Sequence, residues 1–403
     1  MSNTGNKKIH PGWVIFALAM GGFAIGTTEF ATMSLLPFFS RGLGIDAPTA
    51  GHVISAYAVG VVVGAPVFAV LGARLPRRTL LILLMGMFAL GNGLSAVAPS
   101  YHWMLVFRFL SGLPHGAYFG VAALVAISLV QENRRTTALG RMFLGLTLAT
   151  IVGVPMANWL GHAIGWRWSF GLVALMGVLT MAFVWRLAPY EPAHPESSPL
   201  RELGALKHTQ VWLTLGIGAI GFGGMFSVYT YLADVLGAVT SVSAHVVPIV
   251  LSIFGVGLTM GNLLVPILAD RALMRTAGGI LVWSAAALTV FPLVAGNVWL
   301  LTLDVFLIGL GGALGTVLQT RLMDVAEDAQ GLAAALNHSA FNTANALGPF
   351  LGGLAIAAGY GWTSPGWVGS LLAMCGLVLW FASVTVDRGR VRKLSAVREK
   401  ISC

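Results

Sequence analysis

Apolar residues in this chain come in long unbroken runs, without the alternation of a strand or the one-sided stripe of a soluble helix. Twelve runs lie near 12–36, 48–72, 79–99, 102–128, 137–161, 168–188, 211–236, 245–269, 277–296, 298–320, 331–358 and 363–386. Each approximates the roughly 20 residues that carry an α-helix through a bilayer core. Val59-Gly60-Val61-Val62-Val63-Gly64 is apolar on every face, so the runs predict helices and exclude a β-barrel. Lipid has no partner for backbone N–H and C=O groups, and a helix satisfies them within itself. The first run is too long, and Glu29 too deep inside it, for a cleavable signal peptide.

Composition agrees. Of 403 residues 57% are apolar and 9% charged, and mean hydropathy is +0.84, whereas a soluble domain carries about a quarter charged residues. A soluble enzyme, a disulfide scaffold and a disordered chain are excluded. The net charge of +9 takes its meaning from position. With the N-terminus inside, the inner segments hold Lys7 and Lys8; Arg74, Arg77 and Arg78; Arg134, Arg135 and Arg141; Arg186, Arg201 and Lys207; Arg271 and Arg275; Arg321; and Arg388, Arg390, Arg392, Lys393, Arg398 and Lys400. That accounts for 20 of the 23 Lys and Arg; Arg41 and Arg167 fall outside, and Arg108 falls within a crossing. Cytoplasmic loops are enriched in these residues, which predicts both termini in the cytoplasm. The tail 388–403 then meets anionic lipid, and nucleic acid is not an expected partner. The proline-rich segment 189–210 reads as a solvated cytoplasmic linker between two six-helix bundles, 1–188 and 211–387.

The halves are related. Gly60, Gly64, Arg74, Arg78 and Thr79 recur at a constant offset of 197 as Gly257, Gly261, Arg271, Arg275 and Thr276, and Gly112 recurs as Gly309. Gly153-Val154-Pro155 resembles Gly348-Pro349 at a slightly different shift. Duplicated bundles suit a rocking transporter. Glycines four apart, such as Gly22 and Gly26 or Gly311 and Gly315, allow close helix approach, either as static packing or as faces that slide.

Ionisable groups inside a span cost about 2.5–3.5 kcal/mol on insertion scales and mark pathways or relays. Glu29 lies eight residues before Pro37 and Arg108 seven residues into the fourth run, about 12 Å and 10 Å from the outer end at 1.5 Å per residue. At similar depth, they are expected to meet as an ion pair or through water. Desolvation favours a neutral carboxyl and a nearby cation favours a charged one; between these influences Glu29 is a candidate to exchange a proton, the other reading being a permanent structural pair. Arg108, Ser111 and His115 share a helix face, where His115 either titrates or hydrogen-bonds within the bundle. Asp304, beside the repeat counterpart of Arg108, is either a second protonation site or a structural carboxyl. Tyr57, Tyr229, Tyr231, Gln319, Asn337, His338 and Asn342 are further polar or aromatic positions within spans; some are helix-to-helix glue, but the cluster on the eleventh run suggests a wet face and these seven, Tyr57 included, are candidate cavity residues with His115. No nucleophile elbow, zinc-binding helix motif, nucleotide loop or metal-ligand spacing occurs. No cofactor, metal or enzymatic activity is therefore expected, and uphill transport would draw on an ion gradient.

Several segments resemble the major facilitator superfamily, and within it the twelve-span drug:proton antiporters of the YdhP and AraJ type. Gly26-Thr27-Thr28-Glu29-Phe30 is similar to the acidic motif of their first span, and Ala50 to Gly60 to their second span. Arg108-Phe109-Leu110-Ser111-Gly112-Leu113-Pro114-His115-Gly116 is similar to the fourth-span motif whose arginine is associated with proton transfer. Gly145 to Pro155 resembles the fifth-span antiporter motif. Gly165 to Phe170, Tyr229 to Leu232 and Asn345 to Pro349 add further likeness. The loop after the second span departs from the family pattern: Ala69, Ala73 and Pro76 replace both glycines and the aspartate, although Arg74, Arg77 and Arg78 remain and the second half keeps Asp270-Arg271. The resemblance implies twelve helices in two pseudo-symmetric bundles in a bacterial inner membrane and a cavity between spans 1, 4, 7 and 10. Glu29, Arg108 and Asp304 would serve proton coupling; Arg74, Arg77, Arg78, Gly153, Pro155, Asp270, Arg271, Gly348 and Pro349 would serve gating. The expected activity is proton-coupled efflux of amphiphilic drugs or sugar-like metabolites by a monomer. A symporter importing a small metabolite, or a sensor or scaffold that moves nothing, is the alternative.

Overall fold

The computed structural model describes residues 10–45, 47–192, 198–243, 246–326 and 328–402, with side-chain surroundings given up to residue 387 except at 37, 47, 48 and 199. Lys7, Lys8, the linker stretch 193–197 and the basic side chains of the tail lie outside the described residues. Helices dominate, and there is no strand among the described residues. Among the described residues ten helices are long and apolar enough to span a membrane. One of them, Val246–Val294, is broken at Ala272 (φ −155°, ψ 71°) into two arms. Gln330–Ala355, whose buried Asn337, His338 and Asn342 make it more polar, completes twelve spans. In chain order these are span 1 Pro11–Leu43, span 2 Ala47–Leu71, span 3 Arg77–Ala96, span 4 Tyr101–Ser128, span 5 Glu132–Ala163 and span 6 Trp166–Leu187. Span 7 is Thr209–Ala238, spans 8 and 9 are the two arms, span 10 is Val298–Val325, span 11 Gln330–Ala355, and span 12 opens the helix Ser364–Ser402.

The chain divides into two compact units, Met1–Pro199 and Leu200–Cys403, parted within the proline-rich segment. Each unit is tied by the same glycine crossings. A Cβ on Gly60 would collide with the Phe109 carbonyl, and one on Gly112 with the Tyr57 carbonyl. At the 197-residue offset, a Cβ on Gly257 would meet the Phe306 carbonyl and one on Gly309 the Phe254 carbonyl. Spans 2 and 4, and likewise 8 and 10, therefore pack backbone on backbone. In lipid that close approach substitutes for the hydrophobic drive that acts in water.

Part of the segment read as a solvated linker is folded onto the second unit. Pro199–Glu202 forms a short helix continued by a 3-10 turn, Leu203–Lys207. Span 11 begins after Ala329, which offers no side-chain cap; the Glu202 carboxylate accepts the Leu332 N–H at 2.7 Å instead. An anion there satisfies an orphan donor and meets the positive end of the helix dipole. Arg201 pairs with Asp328 at 2.7 Å, but that pair is solvent-facing and contributes about 0–1 kcal/mol. The cap is the stronger tether.

Two outcomes follow from this packing. Gly112→Leu should lower the melting temperature of the detergent-purified protein markedly, since overpacking costs about 1–3 kcal/mol or more, whereas Gly51→Ala, with open space around it, should not. Glu202→Gln should speed amide exchange at residues 331–333 as the cap weakens, measured by hydrogen–deuterium exchange.

Candidate functional site

Five of the six spans of the first unit converge on one guanidinium. Arg108 is 1% exposed on span 4. Its Nη1 donates to Thr28 Oγ1 of span 1 at 3.0 Å, with longer contacts of 3.5 Å to Asn92 Oδ1 of span 3 and to Ser111 Oγ. The Thr28 hydroxyl donates in turn to Asn92 Oδ1 at 2.8 Å, and Asn92 Nδ2 donates to the Phe88 carbonyl at 2.9 Å. The donors thus run in one direction from the cation, an arrangement in which each bond polarises the next. Two rings flank the charge: the Tyr57 centroid of span 2 lies 4.4 Å from Arg108 Cζ, and the Phe170 centroid of span 6 lies 5.4 Å away.

These contacts are of the size the burial requires. A cation–π contact out of water is worth about 2 kcal/mol, and a hydrogen bond from a charged donor about 1.5–3 kcal/mol. Together they match the few kcal/mol of inserting an arginine. Arg108 Nε still lacks a partner.

Glu29 sits beside this cluster on span 1, partly exposed, within electrostatic range of Arg108 and Tyr57. The direct ion pair among the expected contacts is not formed; among the described residues Glu29 makes no hydrogen bond or ion pair at all. The reason is geometric. Depth along two helices fixes height but not azimuth, and the guanidinium turns to the hydroxyl one residue before the carboxyl. His115, 2% exposed, shares a 3.0 Å hydrogen bond between its Nδ1 and the Tyr57 hydroxyl; which atom carries the proton depends on the tautomer. The sequence does not single out Thr28, Asn92 or Phe170 as partners of Arg108; only Asn92 carries a sign of it. Its isolation in an apolar span 3 was the available sign.

The motif residues of span 5 press on the same segment. Ala149–Gly153 is a π-helical turn ahead of Pro155, which has no N–H for the ladder. A Cβ on Gly153 would collide with Thr27 Oγ1, next to Thr28. In the second unit Gly348 approaches the Gly223 carbonyl, and the Pro349 carbonyl accepts the Tyr231 hydroxyl at 2.9 Å. Arg74 and Arg77 are exposed and Arg78 is half-buried at the start of span 3, with no carboxylate paired to them among the described residues. Asp270 and Arg271 close span 8 just before the break at Ala272.

The candidate cavity residues of the second unit are not gathered into one place. Gln319 Nε2 donates to the Ala334 carbonyl at 3.0 Å, and Asn337 Nδ2 to the Gly315 carbonyl at 3.3 Å, so both join spans 10 and 11. Asn342 Nδ2 donates to the His338 carbonyl at 2.9 Å. Asn337, His338 and Asn342 are 1%, 2% and 6% exposed, so the wet face expected there is packed inside. Tyr231 contacts Pro349, twelve residues beyond Asn337, hence about 18 Å along the helix. Tyr229 meets Phe254 in a tilted ring contact with centroids 4.6 Å apart. Asp304 is 3% exposed among Leu301, Val305 and Ile308, and its Oδ2 has no hydrogen-bond partner.

Residues 18–272 and 212–402 each match the sequence profile of the Major Facilitator Superfamily. The chain belongs to that superfamily. It is 42% identical over 370 residues to the inner membrane transport protein YdhP of Escherichia coli K12, spanning 92% of this chain and 95% of that one. It is 32% identical to the chloramphenicol resistance protein of Streptomyces lividans, over 92% of this chain and 96% of that one. A probable sugar efflux transporter of Helicobacter pylori is 28% identical over 92% and 95%. In fold the chain is similar to the proton:xylose symporter XylE, with a TM-score of 0.73 at 13% identity over 92% of this chain and 94% of that one. Human MFSD10, an organic anion transporter, gives 0.72 at 14% identity over 92% and 98%. As a superfamily member the chain is a multi-pass membrane protein, and its expected partners are the bilayer and a small-molecule substrate.

The Tyr57 contacts separate by substitution. Tyr57→Phe, which keeps the ring and loses the His115 bond, should lower stability by about 1 kcal/mol. Tyr57→Leu should lower it by about 2 kcal/mol more as the guanidinium loses its face. Chemical denaturation of both variants in detergent measures the difference.

Proposed function

We propose that this chain is a proton-coupled antiporter of a bacterial inner membrane that exports small organic compounds by alternating access, with both termini in the cytoplasm. One observation carries the reading: Arg108 is held by Thr28, Tyr57 and Phe170 and not by Glu29. A carboxylate locked to its arginine would strand a buried cation on taking up a proton, at a penalty of several kcal/mol. Here the cation keeps its dipoles and rings in either state of Glu29. The carboxyl is thus the member of the cluster whose charge can change, with Arg108 stabilising the ionised form through space.

A proton arriving at Glu29 alters the field on Tyr57 and Arg108, whose partners lie on spans 1, 2, 3, 4 and 6. The glycine-mediated contacts of spans 2 and 4, and of span 5 with span 1, link that change to helix positions. Asp304 is a second carboxyl for the same role, in the other unit. Export is favoured over uptake by the similarity to the Streptomyces lividans chloramphenicol resistance protein and the Helicobacter pylori sugar efflux transporter. The first suggests amphiphilic drugs as substrates and the second suggests sugars.

Proteoliposomes loaded with a pH dye test this directly. Chloramphenicol and a panel of monosaccharides should include a compound whose transmembrane gradient drives opposing proton flow through the wild type. Glu29→Gln should abolish that flow. Proton flow in the same direction as the compound would establish the symporter, and unimpaired coupling in Glu29→Gln would remove Glu29 from the mechanism.

A further inference from the structure

Away from the Arg108 cluster, the second unit carries an open groove of about 610 Å³ between spans 9 and 12. Its floor is Gly278 and Gly279. One wall is Trp380, whose indole Nε1 donates to the Met274 carbonyl at 2.7 Å and whose ring covers Gly278 so closely that a Cβ there would sit 2.6 Å from Cζ2. Val282 and Phe381, 55% and 64% exposed, continue the apolar lining. Arg275 closes one end, about 10 Å along the helix from Val282. It is exposed and forms no hydrogen bond or ion pair among the described residues. Asp387, the acidic residue of span 12 beyond Phe381, is held by Arg321. Arg271, on the other side of the break at Ala272, is also exposed.

The internal repeat isolates the feature. At the 197-residue offset Arg275 corresponds to Arg78, but Gly278 and Gly279 correspond to Leu81 and Ile82. The first unit keeps the cation and fills the space; the second keeps the cation and opens it.

We propose that this groove binds an anionic phospholipid of the cytoplasmic leaflet, with the phosphate on Arg275 and an acyl chain along Gly278, Gly279 and Trp380. A free phosphate would leave the apolar trough unused, and a zwitterionic lipid would set its own ammonium against the unpaired arginine. Basic pockets between spans on the cytoplasmic side suit such headgroups. Assignment to that leaflet rests on the orientation given under Proposed function; the binding itself does not.

Native mass spectrometry of the detergent-purified protein, titrated with phosphatidylglycerol or phosphatidylcholine, tests the site without substrate or gradient. The first phosphatidylglycerol should bind at least about fivefold more tightly than phosphatidylcholine, the ratio expected for one interfacial cation. Arg275→Gln should erase the preference and Arg275→Lys should keep it. Gly279→Leu, whose side chain enters open space, should weaken both lipids at an unchanged melting temperature. Glycerol 3-phosphate, a headgroup without chains, should not compete. Equal binding of the two lipids, a preference that survives Arg275→Gln, competition by glycerol 3-phosphate, or a protein dimer in place of a lipid adduct would overturn the proposal. Glu29→Gln should retain the lipid preference, which keeps this outcome separate from that of the transport experiment. Accessibility of a cysteine introduced in place of the exposed Arg271, in intact cells or in inverted vesicles, reports the leaflet by itself.

Discussion

A guanidinium in the interior of a membrane bundle must be neutralised by something, and in this chain it is neutralised by dipoles and rings. Arg108 draws on a threonine hydroxyl, an asparagine carbonyl and two aromatic faces supplied by spans 1, 2, 3 and 6. Weak partners suffice only if several arrive at once, and several arrive only if the helices stand very close. Gly112 lets Tyr57 descend onto the arginine's own helix, and Gly153 lets span 5 hold the Thr27-Thr28 step in place. The glycine content of the fold and the charge at its centre are therefore one constraint. Widening any of these crossings would leave the cation with fewer contacts than its burial demands.

The repeat shows what that constraint is for. Both units keep the glycine crossing of Gly60 with Gly112 and of Gly257 with Gly309. What they carry on it differs. At the common offset Tyr57 becomes Phe254, Arg108 becomes Val305, Glu29 becomes Phe226 and His115 becomes Gly312. Phe254 and Val305 belong to a continuous apolar core that needs no polar partner. A scaffold that forms equally well with either filling does not require the charged one for folding. Folding alone therefore does not account for the polar filling of the first unit, and Asp304, one residue short of the arginine's counterpart, puts a buried carboxyl beside that apolar core.

Much of the architecture was legible because the membrane leaves few options. Run length counted the crossings, and the offset of 197 paired the halves. The turn between spans 8 and 9 was legible only as a place: residues 270–276 contain no glycine or proline, so helix persists on both sides and breaks at a single residue, Ala272. The matching turn between spans 2 and 3 has Gly72 and Pro76 and opens with a 3-10 turn, Gly72–Arg74. The fold of Pro199–Lys207 was not legible, because the donor that Glu202 satisfies lies 130 residues further on. The site divides in the same way. Glu29 and Arg108 were found by the cost of charge in lipid, and their depths agreed. Their lack of contact could not be read from depth, and neither could Thr28 as the acceptor the arginine prefers, since a threonine near a glutamate in sequence looks like background.

The same comparison of paired positions extends to the surface. Where a duplicated scaffold carries equal packing, a glycine at one copy and a large apolar residue at the other mark a choice about space, because glycine weakens a helix by about 1 kcal/mol relative to alanine. In spans 2 and 8 the glycines are matched, and both copies meet backbone. In spans 3 and 9 they are not: Gly278 and Gly279 stand where the first unit has Leu81 and Ile82, and of these Gly279 faces open space. A helix that gives up propensity at a position touching no other helix gains nothing from its own bundle. The compensation has to come from outside the chain, and beside an unpaired arginine at the end of a span the medium outside is lipid.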